Sequence, residues 1–120
     1  MLGRVDAKTA QRFRAATAML VQIAPAHVEA STKLLTSLGY RVVNVGHIPA
    51  ACERMAVVMP LVVVGDADAL ATARDELRDR AVAVGAQMVW LPKDADLAFV
   101  TSAVRIAAVS ALEKHEPPVT

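Results

Sequence analysis

Short apolar runs alternate with segments of helical periodicity along most of the chain, and this alternation constrains the fold more than any other feature. The apolar runs lie at residues 18–24, 40–45, 60–65 and 87–91, and the helical patterns follow at residues 25–38, 48–55, 69–84 and 95–113. A βα unit repeated four times predicts right-handed crossovers and a mostly parallel sheet. Residues 56–60 (AVVMP) fit either the end of the second helix or the start of the third strand.

The composition indicates which side chains build the core. Apolar residues make up 55% of the 120 residues but aromatic residues only 3%, so the core must consist of Ala, Val, Leu, Ile and Met. Such side chains suit parallel strands that are covered by helices. The length suits one domain, which we place at residues 18–114, after an N-terminal extension at residues 1–17 that we expect to be helical. Residues 115–120, with two prolines, are expected to be a flexible tail or linker.

Charge and hydropathy exclude several classes of partner. The chain has 13 basic and 12 acidic residues, and a net charge of +1 provides no field that would attract nucleic acid or an anionic membrane. No apolar run approaches the ~18 residues that span a bilayer. Charged side chains interrupt the first 17 residues, unlike the apolar stretch of a signal peptide. We therefore expect a cytoplasmic protein.

The residues that most often carry chemistry are scattered. Cys52 is the only cysteine and lies in an apolar, helical pattern, which indicates a buried or half-buried side chain. His27, His47 and His115 lack the neighbouring Cys, Asp or Glu that a metal site requires. The sequence offers no paired nucleophile and base. We accordingly expect no metal, no cofactor and no enzymatic activity.

Three segments together resemble one protein family. They read LGYRVV at residues 38–43, PLVVVGD at 60–66 and VWLPKDADL at 89–97. Residues 18–113 are similar to the receiver domain of bacterial response regulators. The resemblance implies a CheY-like, flavodoxin-like α/β fold of three layers, with four strands, or five, between helices on both faces. It also implies the strand order 2-1-3-4, with Asp66 at the phosphoacceptor position, Lys93 at the lysine position and Trp90 at the switch-aromatic position.

Two departures from this family affect the expected function. Receivers hold Mg²⁺ with paired acidic residues at the end of the first strand, where this chain has Gln22, Ile23 and Ala24. Apolar side chains cannot ligate a cation that requires oxygen donors. Only one crossover helix fits between Asp66 and Lys93, so one βα unit of a receiver, with its Ser or Thr, is missing. Without Mg²⁺ a transferring phosphoryl group loses its main electrostatic stabilisation, which predicts a pseudo-receiver without efficient phosphotransfer.

The same residues also fit purely structural roles. Asp66 and Asp68 precede a helical pattern, and Asp is a preferred N-cap residue, so we expect them to cap that helix. Lys93 is flanked by Asp94 and Asp96 and is expected to be a solvated loop residue. Trp90 is expected to pack, wholly or partly, in the core.

The last helix suggests how such a domain could act. Its apolar residues wrap around more than the one stripe that covers a sheet, which is typical of a protein contact. Phe99, Val104, Ile106 and Val109 are the interface candidates, and a homodimer or a signalling partner is the expected assembly. The alternative is a helix buried more deeply within its own monomer.

A second function class also remains open. A small molecule or nucleotide could bind at the carboxyl edge of the sheet, the usual ligand position in open α/β folds. The first turn, IAPAH at residues 23–27, has no glycine for a phosphate cradle.

Overall fold

The four βα units are present in the predicted order. The computed structural model describes residues 16–115. Its elements are β1 (Thr17–Val21), α1 (Pro25–Ser37), β2 (Arg41–Val45), α2 (Ile48–Val58), β3 (Val62–Asp66), α3 (Ala71–Ala83), β4 (Gln87–Leu91) and α4 (Leu97–His115). Most of the predicted N-terminal extension and the tail beyond His115 lie outside these residues.

The strands form one parallel sheet with the order β2-β1-β3-β4. This confirms the predicted α/β class and strand order, with four strands in the described part of the chain. The order follows from right-handed crossovers that start from a central first strand. β1 and β3 lie in the middle of the sheet and β2 and β4 form its edges.

Side chains that alternate along the central strands build two core layers. Ala18 and Leu20 face the layer formed by α1 and α4, whereas Met19 and Val21 face α2 and α3. All five residues of β3 are buried. A strand covered on both faces is mostly apolar, which is why β1 and β3 appear in the sequence as apolar runs, with Asp66 as the charged exception at the end of β3.

The end of β1 differs from the prediction, and the end of α2 decides between the two alternatives for residues 56–60. The first strand ends at Val21 rather than at residue 24, because Gln22 turns the chain with a φ of 57°. Residues 56–58 belong to α2, and Met59 ends that helix in the left-handed conformation at a φ of 49°. Pro60 therefore lies in the connection to β3 and not in a strand.

Buried polar side chains tie α1 and α4 to the rest of the fold. His27 Nε2 is 2.8 Å from the Ala95 carbonyl oxygen. The Tyr40 hydroxyl, just before β2, donates to the Ala108 carbonyl oxygen at 2.7 Å. Cys52 is buried as predicted, and burial raises the pKa of its thiol. No helix within residues 16–115 is long and apolar enough to cross a membrane.

Candidate functional site

The carboxyl edge of the sheet gathers polar side chains from three distant parts of the chain. Gln22 follows β1, Asp66 ends β3, and Lys93 lies shortly after β4. Because these strands are parallel neighbours, their ends meet at the same edge. The structure thus brings together three of the residues singled out from the sequence.

Asp66 is the centre of this cluster. Its side chain is only 3% exposed. Oδ1 accepts a hydrogen bond from the Asp68 N–H at 2.9 Å. Oδ2 accepts one from the Gln22 side-chain amide at 3.1 Å and lies 3.2 Å from the Lys93 ammonium nitrogen.

These contacts determine the ionisation of the carboxylate. Burial raises the pKa of Asp66, but the hydrogen bonds from Asp68 and Gln22, together with the hydrogen bond and positive charge of Lys93, outweigh burial. The pKa of Asp66 is therefore below its ordinary value, and the carboxylate is ionised at neutral pH.

Gln22 connects three elements, a role that the sequence analysis missed. Its amide nitrogen donates to Asp66, and its Oε1 accepts the Ile48 N–H at the start of α2 at 3.3 Å. Its backbone N–H donates to the Val45 carbonyl at 2.9 Å, and its own carbonyl accepts a hydrogen bond from Lys93 Nζ at 3.0 Å. In the sequence, Gln22 stands out only as an amide where receivers have an acidic residue. The sequence did contain a signal for this role, because an amide lies near the end of one predicted strand and an aspartate directly follows another.

Lys93 is an exposed loop residue, as predicted, but its side chain also has partners. The side chain is 50% exposed, but its ammonium group contacts both Asp66 and the Gln22 carbonyl. Its backbone N–H also donates to Asp68 Oδ2 at 2.8 Å. The lysine is therefore half-exposed, and its ammonium group is bound by the Asp66 carboxylate and the Gln22 carbonyl oxygen.

The predicted helix-capping role of Asp66 and Asp68 is wrong. α3 begins at Ala71, and its N-cap residue, Leu70, has no side-chain capping hydrogen bond. Asp66 is still part of β3, so it is too far from the helix to cap it. Asp68 accepts the Lys93 N–H instead and joins the loops that follow β3 and β4.

The side chains of Ile23 and Ala24 provide no oxygen ligand to the cluster. Ile23 is 8% exposed and packs in the core layer of α1 and α4, and Ala24 is the N-cap residue of α1. Among residues 16–115, no group of three or more His, Cys, Asp or Glu side chains could hold a metal ion. One carboxylate already paired with an ammonium group does not fit a Mg²⁺ site, which needs several oxygen donors.

Trp90 is partly buried beside this cluster, on the face of the sheet covered by α2 and α3. Its ring occupies space left by Gly65, since a Cβ at Gly65 would lie 2.9 Å from Trp90 Cζ3. Gly65 directly precedes Asp66, so the aromatic residue and the carboxylate occupy adjacent positions along the sheet. The expectation of a packed tryptophan is confirmed.

α4 has one buried face and one apolar exposed face. Phe99, Ile106 and Val109 are 50%, 68% and 39% exposed, respectively. Val104 is fully buried, so its assignment as an interface candidate is wrong. It faces the sheet together with Val100 and Ala108.

A groove of about 400 Å³ opens beside the polar cluster, between the carboxyl ends of β1 and β2. Its lining residues come from the end of β2, from the connections that follow β1 and β2, from α1 and from the loop after β4: Gln22, Ile23, Pro25, Val28, Asn44, Val45, Gly46 and Lys93.

Comparison with known proteins supports the fold alone. No protein-family model matches the chain, and no curated protein matches it. A designed Rossmann 2x3 protein aligns over 89% of this chain and 96% of its own, with a TM-score of 0.56 and 11% identity. The signal receiver domain of a modulated diguanylate cyclase from Desulfovibrio desulfuricans G20 aligns over 82% and 89%, with a TM-score of 0.54 and 18% identity. The chemotaxis protein CheY4 of Vibrio cholerae aligns over 78% and 99%, with a TM-score of 0.50 and 14% identity. The chain therefore has a receiver-like fold, which unrelated proteins also share.

Proposed function

We propose that this chain is a non-catalytic signalling module, a pseudo-receiver that binds a second copy of itself or a protein partner without being phosphorylated. The observation that carries the proposal is the occupation of Asp66 by the chain's own groups. Gln22 and Lys93 both contact Oδ2, and the Asp68 N–H occupies Oδ1. The carboxylate is thus held in one ionised, hydrogen-bonded arrangement.

This arrangement opposes phosphotransfer in two ways. The hydrogen bonds that Oδ1 and Oδ2 accept withdraw electron density and make each oxygen a weaker nucleophile. The negative charge on the transferring group also requires a compensating cation, and the end of β1 offers an amide and an apolar side chain where oxygen ligands would be needed. Lys93 supplies one positive charge, which Asp66 already neutralises.

Incubation with acetyl phosphate and Mg²⁺ tests this part of the proposal. The intact mass of the wild type should not change, and its Trp90 fluorescence should show no saturable response to Mg²⁺. Gln22→Asp should introduce a Mg²⁺ response because it adds a second carboxylate at a position whose positive φ Asp tolerates. Gln22→Asn is the neutral control, and a phosphoryl adduct on wild-type Asp66 would refute the proposal.

The exposed face of α4 supports the interaction role. Phe99, Ile106 and Val109 lie at helical spacing along one side of the helix. Apolar area removed from water stabilises a contact by about 25 cal/mol per Å², before the cost of association. A two-fold contact lets one surface cover itself, which favours a homodimer.

Ile106→Glu is the variant that tests this surface. It should convert a dimer into a monomer in light scattering while leaving the urea midpoint nearly unchanged, because Ile106 is 68% exposed in the single chain. Val57→Glu is the matched control, since Val57 is 86% exposed but lies on α2, across the sheet. A wild type that is monomeric at high micromolar concentration and binds no partner through α4 would contradict the proposal.

The groove between β1 and β2 favours a second candidate function, the binding of a small molecule or nucleotide. It lies at the carboxyl edge of the sheet and includes Lys93. A panel of nucleotides and inorganic phosphate should then raise the thermal midpoint of the wild type but not of Lys93→Met. Equal shifts in both proteins, or none in the wild type, would eliminate this candidate.

A further inference from the structure

The exposed face of α4 carries two opposite charges at equal distances from Val109. Arg105 and Glu113 are both exposed, and each lies four residues from Val109. Residues four apart form a ridge on the surface of a helix, with a rise of about 6 Å between neighbours. Val109 is 39% exposed in the middle of this ridge, and Ile106 beside it is 68% exposed. The ridge therefore has an apolar centre, a cation at one end and an anion at the other.

These two charges have no ion-pair partner in the described part of the chain. None of the ion pairs there includes Arg105 or Glu113. Eight residues, or about 12 Å along the helix, separate the two, which is too far for them to pair with each other. Lys114 lies towards β4, beside Gln87, and consecutive helix residues do not face each other. Both charges thus remain available to a second molecule.

A second copy of α4 matches this pattern in one orientation. When two such helices pack antiparallel about a two-fold axis at Val109, Arg105 lies beside the partner's Glu113, and Glu113 lies beside the partner's Arg105. A parallel pair would bring like charges together at both ends. Ridges of residues four apart pack into the grooves between each other in the commonest class of helix contact, and a two-fold axis makes the same ridge serve both chains.

We propose that the partner of α4 is a second copy of this chain, docked antiparallel with Val109 at the two-fold axis and an Arg105–Glu113 ion pair on each side of it. This inference rests on the interaction role proposed above and adds the identity and orientation of the partner. Ile106 and Val109 supply the apolar area that association removes from water. The ion pairs select the orientation, because exposed pairs add little affinity whereas like charges in contact oppose a wrong register.

Charge reversal in one position at a time tests the orientation. Arg105→Glu and Glu113→Arg should each raise the dissociation constant of the homodimer about tenfold, because each places like charges at both ends of the contact. An equimolar mixture of these two variants should form heterodimers with the wild-type affinity, since both ion pairs are then restored with reversed sign. Arg54→Glu and Glu53→Arg are the matched controls, because both residues are exposed on α2, across the sheet, and neither should change association.

Native mass spectrometry distinguishes the heterodimer from the two homodimers by mass. The urea midpoints of the variants should stay near that of the wild type, because both residues are exposed. A statistical mixture of homodimers and heterodimers would overturn the antiparallel register while leaving a dimer through α4 intact. A wild type that remains monomeric would refute the interaction role itself and this inference with it.

Disulfide trapping provides a second readout of the register. Val109→Cys should form an interchain disulfide under mild oxidation, because the two-fold axis brings position 109 of both chains together. Ser102→Cys, also exposed on α4, should not, because it lies seven residues from the axis and its two copies would be about 21 Å apart. The native Cys52 is buried and should react slowly in both variants. Equal crosslinking at positions 102 and 109 would contradict the antiparallel contact.

Discussion

Asp66 is ionised although almost all of its side chain is removed from water. Three groups stabilise the ionised carboxylate and outweigh the cost of burial: the Asp68 N–H, the Gln22 amide and the Lys93 ammonium group. Because the folded-state pKa is lowered, these contacts stabilise the fold above the unfolded-state pKa, about 3.9. The contribution disappears as the pH falls through the folded-state pKa.

We therefore predict that part of the acid sensitivity of this protein comes from Asp66. Urea unfolding followed by Trp90 fluorescence between neutral pH and about pH 3 should show a falling midpoint for the wild type. Asp66→Asn should have a lower midpoint at neutral pH and a flatter acid profile. Asp94→Asn, at an exposed position, should keep the wild-type profile, and an Asp66→Asn profile as steep as the wild type would contradict the prediction.

Tyr40 is a second residue whose burial has a measurable consequence. Burial raises the pKa of Tyr40 to about 12, and its neutral hydroxyl donates to the Ala108 carbonyl. A raised folded-state pKa stabilises the fold below the unfolded value of about 10, and this stabilisation is lost as the pH rises towards about 12.

Tyr40→Phe should cost about 0.5–1.5 kcal/mol at neutral pH, because it removes one buried hydrogen bond. It should also reduce the loss of stability above about pH 10. Since Tyr40 is the only tyrosine, tyrosinate absorbance in the wild type reports its ionisation directly. Ionisation near pH 10 while the protein is still folded would refute the assignment.

At the scale of elements, β3, β4 and α3 meet where Gly65 has no side chain. A Cβ at Gly65 would lie 2.9 Å from both Met88 Cε and Trp90 Cζ3 and 3.1 Å from Leu77 Cδ2. These distances leave no room for a methyl group unless the neighbouring side chains move. Glycine thus allows Trp90 to pack between the sheet and α3.

Gly65→Ala should destabilise the fold by about 1–3 kcal/mol through overpacking, and it should shift the fluorescence of Trp90. Gly46→Ala is the matched control because a Cβ there would have no neighbour within 4 Å, so its effect should stay within about 0.5 kcal/mol. Chemical unfolding of both variants provides the comparison. Similar stabilities for the two would argue against tight packing at Gly65.

At the scale of the whole molecule, the sheet has a protected centre and exposed edges. β1 and β3 are paired on both sides and buried between helices, whereas β2 has one partner and two exposed residues, Arg41 and Asn44. Edge strands with few buried contacts open more readily than central ones.

Hydrogen exchange should therefore be slowest in β1 and β3, whose amides exchange only when the whole domain unfolds. The amides of β2 should exchange faster, through local opening. Exchange followed by mass spectrometry or NMR can compare these strands within one sample. Equal protection in β2 and β1 would indicate that an additional contact covers this edge.

The four βα units and the two covered faces of the sheet could be predicted from the residues alone, and the resemblance to receivers supplied the strand order. These features depend on local periodicity and on the handedness of crossovers, which neighbouring residues define. The resemblance to receivers also placed Asp66 and Lys93 at strand ends that the structure brings together. The alternative role of Asp66 as a helix cap was wrong because it took account only of sequence neighbours. Lys93 is exposed as predicted, but its contacts with Asp66 and Gln22 come from distant parts of the chain.

Tertiary structure alone decided which groups satisfy Asp66 and which side of α4 faces the core. Gln22 lies 44 residues from Asp66 and 71 from Lys93, so no local pattern links them. Val104 and Ile106 are both apolar and only two positions apart, yet one is fully buried and the other 68% exposed. Helical spacing shows which residues share a face, but the packing of α4 against the sheet and α1 determines which face is covered.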